Sequence, residues 1–342
     1  MSRRHHRRNA SRPGAGRRFA AAISVLLVLL LAAIWVVMQV PGEDWSVGAA
    51  FVYAPKLQWI ALPVLGLIFA LIARSSRLVL LNLAATAFAV FVLAGLQLNT
   101  PAPIPEDRPI IRLATWNVHG LTRDRERIQE RIMSWDADIV CMQESGGRVF
   151  ADLLPGYESA QVGPLRVYAR GRILRDEAPP PPTGSLPRFQ IVEVELDAGP
   201  VTVINAHIPR GEAMPRTPRR PEPLLEYIEA GVQLRELNFD QLLDELPDGP
   251  LVLAGDLNIT PASQFYAQIA AHLTDSFTEV GRGFGITFVW RRQYPTLRID
   301  YVWTGGGVDP LRFETQHHLP SDHRPIITEL ALPRAPATDE PQ

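Results

Sequence analysis

The chain has 342 residues, 46% of them hydrophobic and 20% charged, with a formal net charge of −2. A balance so close to zero supplies no global field of the kind that draws a protein onto nucleic acid. A single cysteine, Cys141, excludes an intramolecular disulfide; set among Ile139, Val140 and Met142, it reads as a small buried hydrophobe.

The N-terminal residues 1–18 form a basic tail carrying Arg3, Arg4, Arg7, Arg8, Arg12, Arg17 and Arg18. Residues 19–98 follow, nearly free of charge, with three apolar runs at 19–40, 57–73 and 78–98. A helix crosses the hydrocarbon core with about 20 apolar residues, and about 17 is the lower limit. The first and third runs meet this comfortably. The second sits at the limit and contains Pro63, which neighbouring helices tolerate. The first run is longer than the core of a signal peptide, and no small-x-small cleavage site follows it. Three transmembrane helices are therefore expected.

Orientation follows from the basic residues, which stay on the cytoplasmic side. The Arg-rich tail is expected inside. The 41–56 loop, with Glu43 and Asp44 against Lys56, is expected outside, and the turn with Arg74 and Arg77 inside. The third span then leaves the rest of the chain outside. The expected location is the cell membrane, multi-pass, with a cytoplasmic N-terminus, an extracytoplasmic soluble domain and the lipid bilayer as partner. Trp45, Tyr53 and Trp59 fit an interfacial aromatic belt. Residues 99–109 contain Pro101, Pro103, Pro105 and Pro109 and read as a short, semi-rigid linker.

From residue 110 to 332 the pattern is that of a soluble domain. Strands are expected at 110–117, 138–144, 165–169, 188–196, 201–207, 251–254, 298–303 and 325–330. Helices are expected at 123–135, 224–246 and 263–272. Segments 170–187, with its run of prolines, and 209–223, with Arg210, Arg216, Arg219 and Arg220, read as loops. Sheets interspersed with helices imply an α+β sandwich. The Pro-rich, acidic tail 333–342 is expected to be disordered.

Chemistry gathers at the strand ends. The first strand ends in Trp116, Asn117, Val118, His119, Gly120; the second in Gln143, Glu144; another in Asn205, Ala206, His207; another in Gly255, Asp256, Leu257, Asn258. A late strand carries Arg298, Ile299, Asp300, Tyr301, and Ser321, Asp322, His323, Arg324 precede the last. Apolar strands that each end in Asn, Asp, Glu or His are costly unless those groups converge on a ligand or metal.

These segments, in this order, resemble the endonuclease/exonuclease/phosphatase superfamily, the DNase I-like fold, over residues 110–330. The resemblance implies a four-layered α/β sandwich with flanking helices, a bound Mg²⁺ or Mn²⁺, and hydrolysis of phosphoesters. The N-terminal spans make the chain similar to membrane-tethered bacterial members, including VanJ-like teicoplanin-resistance proteins. By that resemblance Glu144 is the main metal-ligating carboxylate, and Asn117 orients it or contacts metal or phosphate. Asp322 lies near the metal. Asp256 positions or deprotonates the attacking water, and Asn258 holds a phosphate oxygen. His323 contacts the scissile phosphate or serves as general base, with Asp300 fixing its ring. His207 donates to the phosphate or the leaving oxygen. Where some DNA-repair members carry Asp, this chain has His119, so one metal is expected rather than two.

Each of these residues has an ordinary reading when taken alone: Asn117 as a turn residue, His323 as a buried histidine. As a set with matching spacing they point to one site. Arg298 is equally an ion-pair partner of Asp300 or a phosphate contact, and His317 and His318 match no motif. Three functions fit: an extracytoplasmic hydrolase of a lipid-linked or envelope phosphate, an extracytoplasmic nuclease, and a non-catalytic membrane module. A nuclease would carry a basic stripe and stacking aromatics, which the sequence does not assemble.

Overall fold

The computed structural model describes residues 14–40, 42–121, 125–146, 150–182, 184, 186–209, 221–291, 293–317 and 320–334. The first 13 residues of the basic tail, residues 210–220 of the Arg-bearing loop, His318 and the tail from 335 lie outside them. The chain divides into two compact units, residues 1–36 with 56–95, and residues 37–55 with 96–342.

The first unit is helical. Helix Ala15–Gln39 and the helical stretch Ser76–Leu93 are long and apolar enough to cross a membrane. The expected second span is not a helix of that length. It comprises a 3-10 turn, Lys56–Ile60, and a 12-residue helix, Ala61–Ile72. Pro63 sits in the first turn of that helix, where its missing N–H costs nothing, so it opens the helix rather than riding inside a longer one. Turn and helix together rise on the order of 28 Å, just under the ~30 Å hydrocarbon core. The count is therefore two clear spans, or three if the bent pair Ser46–Val52 and Lys56–Ile72 is one span. Within this unit the buried Asn82 amide donates to Ser24 Oγ at 2.6 Å. A Cβ at Gly66 would fall 2.1 Å from Asn82 Oδ1, so the contact needs glycine there.

The second unit is built on two six-stranded sheets. In chain order the strands are β1 Ile110–Asn117, β2 Ile139–Gln143, β3 Glu158–Val162, β4 Leu165–Ala169, β5 Arg172–Glu177 and β6 Phe189–Leu196. They continue as β7 Gly199–His207, β8 Leu251–Asp256, β9 Thr274–Asp275, β10 Asp300–Gly305, β11 Asp309–Thr315 and β12 Ile326–Ala331. One sheet runs β11-β12-β1-β2-β4-β3 and the other β9-β10-β8-β7-β6-β5. Each holds one parallel pair, β1 with β2 and β7 with β8.

Successive side chains of a strand point to opposite faces. Leu113, Ile139, Cys141, Val167, Val203, Val252 and Val302 fill the space between the sheets. On the outer face of one sheet, Ala114, Trp116 and Met142 pack against Ile128 and Ile132 of helix Arg125–Met133. On the outer face of the other, Ile204, Leu253 and Trp303 meet Phe239 of helix Pro221–Asp244 and Phe265 and Ile269 of helix Gln264–Ala270. Helix, sheet, sheet, helix is the four-layered DNase I-like arrangement expected. Cys141 is fully buried, which pushes its thiol pKa well up.

One expected loop is partly wrong. Residues 170–187 contain β5, an edge strand whose residues are largely exposed. Cross-strand ion pairs hold it, Arg172 to Glu195 at 2.6 Å and Arg175 to Glu193 at 3.2 Å. With Ile173 alone half-buried against the core, the strand shows no apolar alternation, and charges suit an unpaired edge. The segment 99–109 is fastened along the sandwich: the Asn99 amide donates to Thr278 O, Ala102 N to Leu311 O and Arg108 Nε to Leu332 O.

Between the sheets, near their functional edge, Asn205 accepts from Gln143 Nε2 at 2.7 Å and donates to Met142 O and Arg166 O at 3.1 and 3.0 Å. Asn205→Ala would strand these buried groups, and each unsatisfied one costs about 1–3 kcal/mol. A loss of about 3 kcal/mol in chemical denaturation is expected. A change below about 1 kcal/mol would show that the cross-sheet bonds contribute little.

Candidate active site

Topology alone brings the polar strand ends together. The parallel pairs β1–β2 and β7–β8 end at the same edge. Their antiparallel neighbours begin there, β10 with Asp300 opposite Asp256 and β12 with Ile326 opposite Thr115.

The centre of the cluster is Asp256 Oδ2. The Asn117 amide donates to it at 3.0 Å and to Glu144 Oε1 at 3.1 Å, linking one sheet to the other. His207 Nε2 stands 3.8 Å from both of those carboxylate oxygens. His323 Nε2 lies 3.7 Å from Asp256 Oδ2, while its Nδ1 faces both Asp300 oxygens at 2.9 and 3.0 Å. Asp256 Oδ1 accepts from Asn258 N at 3.0 Å, and the Asn258 amide donates to Ile208 O at 2.9 Å. Asp322 Oδ1 and Glu144 Oε2 each lie 3.6 Å from His119 Nδ1. The structure thus gathers the eight residues given site roles from the sequence, with His119 beside Glu144 and Asp322. Arg298 is not among them: it pairs with Asp275 at 2.6 Å, packed on Phe277 and Tyr301.

Three of these residues have left-handed backbones: His119 at φ 49°, Glu144 at 54° and Asn258 at 50°. Such conformations cost about 1–3 kcal/mol each and persist where their surroundings over-determine them. Here Asn117 Oδ1 accepts from His119 N at 2.9 Å, and Asp256 Oδ1 does the same for Asn258. Gly255, at φ 140°, lets β8 approach β7: a Cβ there would fall 2.0 Å from Ala206 O.

Several supporting residues escaped the sequence reading. The Ser321 hydroxyl donates to Asn117 O at 2.7 Å and accepts from His323 N at 3.0 Å. Trp116 Nε1 donates to His323 O at 3.0 Å. Thr287 Oγ1 accepts from Ile299 N and Asp300 N, both at 3.1 Å. Ser321 was detectable as a neighbour of Asp322 and His323; Thr287 had no local signal. A hairpin of strands Phe288–Trp290 and Tyr294–Leu297 borders the site. Phe288 meets the His323 ring edge to face at 5.3 Å, while Trp290 and Tyr294 are exposed, with the Arg291 guanidinium 4.5 Å from the Trp290 ring centroid.

Burial by itself would lower the His323 pKa, but the Asp300 and Asp256 carboxylates outweigh it and raise it to about 9. Asp300 is itself raised, by burial first, against the opposing pull of His323. Two groups compete as a metal centre. Asp256, Asp300 and His323 place one donor atom each within 4.8 Å of one another. Both Asp300 oxygens are, however, turned to the imidazole of that same set, which makes it a hydrogen-bonded relay. Glu144 and Asp322, with the Asn117 side chain, fit a hard divalent cation better, since such ions take oxygen ligands. Among the described residues, Asp322 Oδ1 is buried with no hydrogen-bond partner.

Residues 114–323 match the model of the Endonuclease/Exonuclease/phosphatase family, a stretch that contains all of these residues. The chain belongs to this family. Family members hydrolyse phosphoester bonds and generally use divalent metals. The fold is similar to that of an endonuclease/exonuclease/phosphatase from Beutenbergia cavernae DSM 12333, at 23% identity and TM-score 0.52, covering 68% of this chain and 74% of that one. It is also similar to one from Bacteroides vulgatus, at 17% and 0.50, covering 66% and 99%. An AP endonuclease from Archaeoglobus fulgidus, at 16% and 0.50, covers 64% and 98%. At such identities these three share the family's fold and no more. No curated protein sequence matches the chain.

Proposed function

We propose that this family member is a membrane-anchored, divalent-metal-dependent hydrolase that acts outside the cytoplasm on a lipid-linked or cell-envelope phosphate. The observation that carries the chemistry is the junction at Asp256 Oδ2, where Asn117, His207 and His323 meet beside Glu144. Asp256 positions or deprotonates the attacking water. Asp300 holds His323 by Nδ1, so that Nε2 is presented toward Asp256 and the scissile phosphate. His207 donates to the phosphate or the leaving oxygen, and Asn258 binds a phosphate oxygen. Glu144, Asn117 and Asp322 would hold Mg²⁺ or Mn²⁺, which when bound neutralises charge on the phosphate oxygens.

The domain plan proposed is a basic cytoplasmic tail to residue 18, membrane helices within 19–98, a linker over 99–109 and the catalytic domain from 110 to 332. The Arg distribution supports the outward placement with three spans, the bent pair counted as one; with two spans the same rule would put the domain inside. A reporter active only outside the cytoplasm, fused to the C-terminus, is expected to be active. A silent one, paired with an active cytoplasmic reporter, would reverse the orientation.

Attachment to the membrane supports the lipid-linked substrate, because such phosphates lie within reach of an anchored site. The nuclease reading has one observation in its favour, the exposed Trp290 and Tyr294 with Arg291 on the hairpin whose Phe288 meets His323, a surface able to stack on bases. Full-length protein in liposomes, given a polyprenyl pyrophosphate in the bilayer and plasmid DNA in solution, separates the two. Faster phosphate release from the lipid, lost in Glu144→Ala, is the expected result. Faster DNA cleavage at equal phosphate concentration would make the chain a nuclease, and no turnover of either would leave the non-catalytic module.

A further inference from the structure

Glu43, an acid that the sequence presents as ordinary loop charge, is buried inside the catalytic unit, its side chain 0% exposed. It stands in the turn Gly42–Asp44, ahead of helix Ser46–Val52. Its Oε2 accepts from the Ser263 hydroxyl at 2.7 Å and from Gln264 N at 2.9 Å. Its Oε1 accepts from the Tyr53 hydroxyl and lies 3.6 Å from Arg235 Nη1, and that guanidinium covers the Tyr53 ring at 4.5 Å. A second bond joins the same two segments, from Thr260 Oγ1 to Val52 O at 2.7 Å. A buried carboxylate is tolerable only when so fully paired.

What these bonds grip is the loop that leaves β8. That loop runs from Asp256 through the strained Asn258 to Ser263, the cap of helix Gln264–Ala270. Its near end is tied by Leu257 N to Ile299 O at 3.0 Å, and Ile259 O accepts from the Tyr301 hydroxyl at 3.0 Å. Its far end, Thr260 and Ser263, is tied to residues 43 and 52. We propose that residues 42–55 are a strap that fixes the Asn258 loop, and that Glu43 is a positioning residue for Asn258. The proposal rests on the reading of Asn258 as a phosphate-binding group. It makes a segment that precedes the family's own domain by some 60 residues of sequence a component of the site.

The test uses the full-length protein with Glu43→Ala, Glu43→Gln and Thr260→Val. In Glu43→Ala, kcat on a soluble phosphodiester is expected to fall about tenfold to a hundredfold, the scale of a small misplacement of a reacting group. Mn²⁺ affinity, which depends on the opposite side of the site, stays unchanged. Glu43→Gln still accepts from Ser263 and Gln264 and restores most of the rate. Amides of 257–264 exchange on the order of ten times faster, while those of β1 keep their protection. Unchanged turnover in a folded Glu43→Ala protein, or exchange that rises equally everywhere, overturns the proposal. If Glu43→Ala fails to fold, Thr260→Val decides by the same readings, with local loosening in support and unaltered exchange against. Hydrogen exchange needs no substrate, so it judges the strap even if the proposed hydrolysis is absent.

Discussion

Replacing His323 by Ala, or Asp256 by Asn, is expected to lower kcat by about a hundredfold to ten-thousandfold, with far smaller changes in KM. Both groups act on the reacting phosphate and water, so their loss falls on the transition state more than on binding. Asp256→Asn is the harsher change despite its matching shape. Asp256 Oδ2 accepts from the Asn117 amide and Oδ1 from Asn258 N. An asparagine must turn its NH₂ toward one of those donors, so a bond is lost as well as a charge. Asp300→Ala is expected to be milder, because His323 keeps its main-chain anchors, His323 N to Ser321 Oγ and His323 O to Trp116 Nε1. The order of the three variants is the test. An Asp300 variant much slower than the His323 variant would mean that Asp300 takes part directly.

Chelation is expected to abolish hydrolysis, and Mg²⁺ or Mn²⁺ to restore it. Glu144→Ala should weaken metal binding, measured by calorimetry, by more than the roughly 10–100-fold that follows loss of a merely supporting partner. The fold should persist, since the Glu144 side chain is 34% exposed at the edge of the sandwich. A melting temperature within a few degrees of wild type, beside lost metal binding, is the expected pair of results. Full activity in excess chelator would remove the metal from the mechanism.

The residues that the structure gathers into the candidate site were more legible in the sequence than parts of the fold. Asn117, Glu144, Asp256 and His323 stand out because each follows or precedes an apolar run, and a polar group so placed needs a reason. Strands buried on both faces, such as β1 and β8, announce themselves as continuous apolar runs. β5 has no such pattern because only Ile173 packs against the core, and its Arg residues pair with Glu residues across the strand pair and, for Arg175 and Glu177, along the strand. Thr287 was invisible for another reason: it serves Asp300 through two main-chain amides, a link made by the return of the chain and not by local spacing. Glu43 carried no sign of its burial because its partners Arg235 and Ser263 lie about 190 to 220 residues away.

The strap also sets a parity rule. Residues 42–55 are bonded into the same unit as the catalytic strands, so both must lie on one face of any membrane the chain spans. Between residue 55 and residue 96 the chain can then cross only an even number of times. If Ser76–Leu93 is embedded as one passage, the proposed topology needs a second, and it would have to be Lys56–Ile72 without Ser46–Val52, which the strap holds in the catalytic unit. Its length alone would not assign it that role. The hydrogen bonds of Glu43 and Thr260, made outside the bilayer, would therefore decide how many times the chain passes through it.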